Sequence, residues 1–336
     1  MSRSPTSANV CRCRRPIVAI VASAILGLVA ISSAVGLQQP AKVYRVGVLT
    51  AGGGSSQELR QSLRDHGYIE GRNVVLELRD TEGRADRSNA LAVELTQLKV
   101  DVIIATNPAA VVSAKRATGT IPIVMVHTPD PVELGFVASL ARPGGNITGV
   151  TTLSVELSIK QLELLKEAAP QASRIALLWN PDNPWHPRVV KSLREERRVP
   201  GIQVQVVAIR GVNDFDGAFQ AMIKERARAI LVLADPMTFV HRRRLADGAI
   251  KHRLPLMAGP RAYTEAGALM SYWADEAELY RRAASYVDRI LKGANPGDLP
   301  IEQPTRYELV INAKTAKGLG LTIPRSVLLR ADQVIQ

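Results

Sequence analysis

The sequence predicts an α/β protein of two similar lobes, each a parallel sheet flanked by helices. Three observations carry this. Unbroken apolar runs such as Val102 to Ala105 and Ala229 to Ala234 read as strands buried on both faces, and they alternate with helix-length amphipathic stretches. Two of these runs close on a polar residue and a proline, Asn107-Pro108 and Asp235-Pro236, and each pair leads through a helix to a Pro-led strand, IPIVM or LPLMA. The pattern also restarts. Arg45 lies 62 residues before Asn107 and Arg174 lies 61 residues before Asp235. Matched spacing of this kind favours duplication over chance likeness.

Taken in order, residues 1 to 16 carry Arg3, Arg12, Arg14 and Arg15 and no acid, and Ile17 to Ile31 is an apolar run of 15 residues. Ser32-Ser33-Ala34 follows as a small-x-small site. Together these read as a secretory signal spanning 1-34, cleaved near Ala34. An uncleaved anchor is the alternative, for which the run is short. Arg14-Arg15 resembles a twin-arginine signal, although Pro16 follows at once.

Cys11 and Cys13 are the chain's two cysteines, so cleavage leaves no thiol or disulfide. Loss of the four arginines takes the formal charge from +12 to +8. Aromatic content of 4% argues against an aromatic platform for nucleic acid. With an export signal, neither DNA nor other nucleic acid is expected as the natural partner, and the remaining positive charge reads as a solvated surface.

Gln38 to Lys42 is a linker. Tyr44 to Thr50 is the first strand, running into a Gly/Ser loop at 51–56 and a helix over Gln57 to His66, with Leu59 and Leu63 on one face and Gly67 as its stop. Asn73 to Leu78 is a strand and Asp86 to Leu98 a helix. Val102 to Ala105, the helix Ala109 to Ala117 and the strand Ile121 to Val126 follow. That strand ends at a second polar stop, His127-Thr128-Pro129-Asp130-Pro131. Ile147 to Thr152 is extended, and Ser154 to Ala169 is an amphipathic helix ended by Pro170.

The second block reads Arg174 to Trp179 strand, Pro187 to Arg198 helix, Ile202 to Ala208 strand, Phe215 to Arg226 helix and Ala229 to Ala234 strand. A helix over Met237 to Lys251 and a strand over Leu254 to Ala258 complete it. Ala268 to Trp273 is extended, Ala277 to Lys292 is a helix capped by Gly293, and Leu309 to Asn312 is a strand. The tail is too short for a third domain, so the chain passes between the lobes more than twice.

Enzyme signatures are scarce. There is no G-x-S-x-G elbow and no P-loop. Gly52-Gly53-Gly54 lacks the spacing of a dinucleotide loop. His66, His127, His186, His241 and His252 form no paired-ligand motif, so neither metal nor other cofactor is expected. Binding chemistry is better represented at the strand ends, where α/β folds hold ligands. Ser55-Ser56 and Thr106-Asn107 stand at helix N-termini, which suit a carboxylate. His127 and Asp130 occupy the second polar stop. On the opposite wall stand Asn180, Asp182, Trp185, Asp235, Arg261 and Tyr263. Asp235 offers an acceptor for an ammonium group, and Trp185 an apolar face. Each also has an ordinary reading: Ser55, Ser56 and Asp235 as helix caps, Asn180 in a turn, Trp185 in packing, His127 as a polar loop histidine.

Several runs then carry a resemblance: YRVGVLTAG, GYIEGRNV, EGRADR at Glu82 to Arg87, VDVIIA, DPVELGFVASLARPGGNITGV at Asp130 to Val150, LELLKEAAP, ALLWNP, and ELVINAKTAKGLGLTIPRSVLLRADQVI. Over nearly all of residues 42 to 335 the chain resembles the ABC-transporter substrate-binding proteins of the tryptophan/tyrosine type. The resemblance implies a type I-like periplasmic binding fold with three crossovers. Lobe 1 would be 42-151 plus 274-294 and lobe 2 152-273 plus 295-336.

A small amino-acid-like or carboxylate ligand would sit at the loops after Thr50, Ala105, Val126, Trp179 and Ala234. The partner would be a membrane permease with its ATPase, the only route of membrane contact, and the location periplasmic. Trp273 after Ser271-Tyr272, and His127-Thr128-Pro129, bring more bulk into this cleft than the family pattern. The alternatives on the same fold are a ligand-sensing module for a membrane receptor, or an exported enzyme with His127 or Asp235 as base.

Overall fold

The computed structural model describes residues 42–52, 56–152, 154–195 and 199–336, without the side chains of Ser56 and Ser154. The expected signal, almost all of the expected linker, and Ser55 lie outside these residues. Among the described residues no helix is long and apolar enough to cross a membrane.

The first sheet has five strands, all parallel, in the order β2-β1-β3-β4-β5. They are β1 Tyr44–Thr50, β2 Val74–Asp80, β3 Val102–Ala105, β4 Ile123–Pro129 and β5 Ile147–Thr152. Three helices connect them: α1 Ser56–Asp65, α2 Ser88–Gln97 and α3 Pro108–Ala117. The two-residue period of a strand divides the apolar side chains cleanly. Val46, Val48, Val102, Ile104, Val124 and Val126 pack with Leu59 and Leu63 of α1. Leu49, Ile103, Ala105, Ile123 and Met125 face the other way, against Leu91 and Leu95 of α2 and Val111 of α3. Burial on both faces is why these strands carry apolar runs rather than alternation.

The chain then crosses to a second, seven-stranded sheet through α4 Ser154–Ala168. Its elements are β6 Arg174–Trp179, α5 His186–Glu195, β7 Gln203–Ala208, α6 Phe215–Lys224, β8 Ala229–Val232, α7 Pro236–Val240, α8 Arg242–Lys251, β9 Leu256–Ala258, α9 Arg261–Glu265 and β10 Met270–Ala274. The single helix expected over Met237 to Lys251 is two, broken at His241. From β10 the chain returns to the first sheet as α10 Glu276–Leu291, whose Leu279, Tyr280, Ala283 and Val287 join the core under β1, β3 and β4. It crosses a third time to β11 Tyr307–Asn312, α11 Ala313–Gly318, α12 Arg325–Leu328 and β12 Gln333–Ile335. The order of the second sheet is β12-β11-β10-β9-β8-β6-β7, parallel except where β11 runs against β10. Two α/β lobes with three crossovers are therefore present, with one antiparallel junction that the expectation of purely parallel sheets lacked.

Two details depart from the sequence reading. Residues 297–302, assigned there to the second lobe, hydrogen-bond along β5: Thr151 N–H donates to Glu302 O at 2.9 Å and Glu302 N–H to Gly149 O at 3.1 Å. The stretch thus lies with the first sheet. Strand β4 also does not stop at Val126 but runs through Pro129. Its register with β5 slips between Met125 and Thr128, which face Gly149 and Thr151, so one extra residue is accommodated on β4. His127 takes up the slack with φ 53°. A bulge of this kind re-aims a side chain, and here it turns the His127 ring into the space between the sheets.

Candidate functional site

The strand order of each sheet reverses once among its parallel strands, between β1 and β3 in the first and between β6 and β8 in the second. The loops leaving these strands diverge there and open a crevice. The two crevices face one another across a cavity of about 140 Å³. From the first sheet it is lined by Thr50, Gly52, Thr106, Asn107 and the re-aimed His127; from the second by Asn183, Trp185, Asp235 and Tyr263. The crossing from β10 to α10 closes one side with Trp273 and Glu276.

The loops of the second sheet are tied into one polar knot. Asp235 is buried and caps α7, its Oδ1 accepting from Met237 N–H at 2.9 Å. Its Oδ2 accepts from the side-chain amides of Asn180 at 3.2 Å and Asn183 at 3.0 Å. His186, also buried, accepts at Nδ1 from Asn180 N–H at 3.0 Å, which leaves the proton on Nε2 to donate to Ala234 O at 3.1 Å. Burial pushes the His186 imidazole below the usual histidine range, partly offset by Asp235, so it serves as a neutral connector. Tyr263 is held by an O–H bond of 2.8 Å with Thr238 Oγ1, its ring 6.0 Å from that of Phe239 in edge contact.

The wall of the first sheet is equally fixed. Asn107 caps α3, its Oδ1 accepting from Ala110 N–H at 2.9 Å. Thr106 Oγ1 lies 3.1 Å from Thr50 Oγ1. Pro108 opens the helix without an N–H, so this terminus offers an anion fewer donors than an ordinary one. His127 stacks on Trp273 at 6.2 Å with 25° between planes, and its Nε2 is 3.5 Å from the Tyr280 hydroxyl. Its Nδ1 is buried with no partner. Burial lowers this imidazole to about 4, so it is uncharged at neutral pH. The loops of the two sheets also touch directly. A Cβ on Gly52, with φ 105°, would stand 2.9 Å from the Phe239 ring of α7, so only glycine lets that helix approach.

Of the residues expected at the cleft, Thr106, Asn107, His127, Trp185, Asp235 and Tyr263 line the cavity. Two do not. Asn180 is drawn behind the wall by Asp235 and His186. Asp130 follows the lengthened β4 with φ 32° and turns away from the cavity, its backbone carbonyl accepting from Leu134 N–H. It lines a second cavity of about 520 Å³ beside Glu133, Glu156 and Arg188. Ser56 opens α1, and Ser55 is not described. The expected ammonium acceptor, Asp235, already receives three hydrogen bonds.

Sequence reasoning missed Gln161, Asn183, His186 and Glu276, all on the cavity wall. A strand-end rule applied to β10 as well as to the first strands of each block points to Glu276. Among the described residues no group of three or more His, Cys, Asp or Glu side chains is placed to hold a metal.

Relatives fit this geometry. The chain is 27% identical over 262 residues to a tyrosine-binding protein of Clostridioides difficile strain R20291, a span covering 78% of this chain and 75% of that one. A conserved domain protein from Vibrio cholerae superposes with a TM-score of 0.81 at 28% identity, covering 87% of this chain and all of the other. A Streptococcus pneumoniae ABC domain solved with L-Trp gives 0.79 at 26%, covering 88% and all of the other. The architecture is that of type I periplasmic binding proteins. Residues 54–335 match the ABC transporter substrate binding protein family from the start of α1 to β12, and the chain belongs to that family.

Proposed function

We propose that this chain is the extracytoplasmic solute-binding protein of an ABC importer. It captures a small amino-acid-like ligand between its two sheets and delivers it to a membrane permease driven by an ATPase. The observation that carries the reading is the cavity between the sheets, whose lining residues His127, Trp185 and Trp273 hold buried polar atoms, Nδ1, Nε1 and Nε1, with no partner among the described residues. Leaving a buried donor or acceptor unmet costs about 1–3 kcal/mol, and a ligand with acceptors and a donor would relieve that cost. The relatives described as tyrosine-binding and as holding L-Trp support an amino-acid-like ligand for this chain too.

In this reading residues 1-34 are removed on export to the periplasm. The first lobe comprises 42–151 with 274–302, and the second 152–273 with 303–336. Thr106, Asn107, His127, Trp185, Asp235 and Tyr263 form the walls that meet ligand, and Ser55 and Ser56 are further candidates for ligand contact.

Native mass spectrometry of the mature protein as purified tests this. The expected result is a co-purified small metabolite that exchanges on dialysis, followed by a ligand-dependent rise in melting temperature worth about 2.7 kcal/mol at one hundred times its dissociation constant. A chain that carries nothing and responds to no amino acid, amine or small carboxylate is not a solute-binding protein.

A further inference from the structure

Two carboxylates line the cavity, and they differ in kind. Asp235 is saturated by one backbone and two amide donors. Glu276, in the first turn of α10, has no hydrogen bond or ion pair among the described residues. Its acidic neighbours are mostly provided for. Glu265 pairs with Arg261 at 2.8 Å, Glu308 with the same arginine at 3.7 Å, and Asp275 with Arg306 at 3.5 Å. Glu58 on α1, which packs beside α10, is not: its Oε2 is buried without a partner. Burial, then the charges of Glu58, Glu265, Glu308 and Asp275 in that order, push the Glu276 carboxyl up to about 7. A carboxylate in this position either keeps a proton or takes a cation from outside the protein.

The surrounding groups suit the second course. Trp273 and Tyr280 line the same side of the cavity, and His127, stacked on the one and edge-on to the other, is uncharged and brings no competing positive charge. Trp273 is fixed there, because its ring lies on the backbone of Gly259, where an added Cβ would be 2.5 Å from the indole. Across the cavity Trp185 is 5% exposed, and its Nε1–H is buried with no acceptor. Residues of both walls thus hold unmet donors, Trp185 Nε1–H and Trp273 Nε1–H, while the unpaired acceptor is on the crossing segment.

We infer that the cavity is built for a ligand bearing a positively charged amine or guanidinium group, which pairs with the Glu276 carboxylate. The inference rests on the proposed solute-binding role and names the chemical class that this role serves. The cation supplies the counter-charge that the fold withholds, and the indole N–H of Trp185 meets an acceptor elsewhere on the ligand.

The test is calorimetric titration of the mature protein with matched sets: L-tryptophan, L-tyrosine, L-arginine and L-lysine, their decarboxylated amines, and the deaminated acids of tryptophan and tyrosine, which keep no positive group. The expected binders all carry the positive group. Removal of the amine abolishes binding, and Glu276→Gln weakens the binders at least about ten-fold while leaving the fold intact by circular dichroism. Equal binding of a deaminated acid, or full affinity in the Gln variant, overturns the inference and leaves the solute-binding role standing. If no member of the sets binds, the inference also falls, and the role is then decided by the co-purified metabolite.

Discussion

At the scale of single residues, Glu276 makes a prediction that needs no ligand. Its carboxyl is raised from the ordinary 4.5 to about 7 in the folded protein. Between those two values the unfolded chain has released the proton while the folded chain still holds it. The group therefore lowers stability as pH rises through this window, and the full penalty of about 3 kcal/mol is present above pH 7. Glu276→Gln removes it. The ligand-free variant is expected to melt higher than the wild type at pH 8, with a much smaller gap at pH 5. Equal gaps at both pH values in a thermal scan would show that the carboxyl titrates normally.

How much of the site was legible also depended on single residues. Thr106, Asn107 and Asp235 were readable because a strand end followed by a cap has a sequence signature. The same signature concealed their duty, since caps consume the very atoms a ligand would use. Glu276 escaped notice because an acid in a helix's first turn is so ordinary.

At the scale of elements, the junction of β4 and β5 decides where His127 points. Gly149 of β5, with φ 133°, lies so close to β4 that an added Cβ would stand 2.2 Å from the Met125 carbonyl oxygen. Gly149→Ala therefore forces the two strands apart beside the bulge. The expected cost is about 3 kcal/mol or more in urea unfolding, with faster amide exchange in β4 and β5. A change below about 1 kcal/mol would mean that the strands relax at little cost. The strands themselves were legible from their apolar runs, and most ends fell within two or three residues. The bulge was not legible, because His127-Thr128-Pro129 reads as punctuation: a proline and a left-handed histidine are unusual inside a strand. The third crossing was also hard to place. Residues 297–302 bind β5 through backbone groups, which leave no mark on side-chain periodicity.

At the scale of the whole molecule, the two sheets are bridged at the second cavity by an ion pair between Arg188 of α5 and Glu133 in the turn after β4. The Arg188 guanidinium also lies 5.4 Å from the Trp185 ring. Both charged side chains are about half exposed, at 48% and 52%, so solvent screens them. A double-mutant cycle of Arg188→Ala and Glu133→Ala is expected to give a coupling below about 1 kcal/mol, vanishing at high salt. A larger, salt-resistant coupling would make this pair a true latch between the sheets.

The duplicated blocks made the two-lobed plan visible in the sequence, but not the path of the chain between them, and that path has a consequence of its own. One of the three crossings, from β10 to α10, carries both Trp273 and Glu276. If the sheets part like jaws, that crossing is the axle. A contact made on an axle moves least as the jaws swing, so a ligand held at Glu276 is gripped before they shut and is let go last when they open.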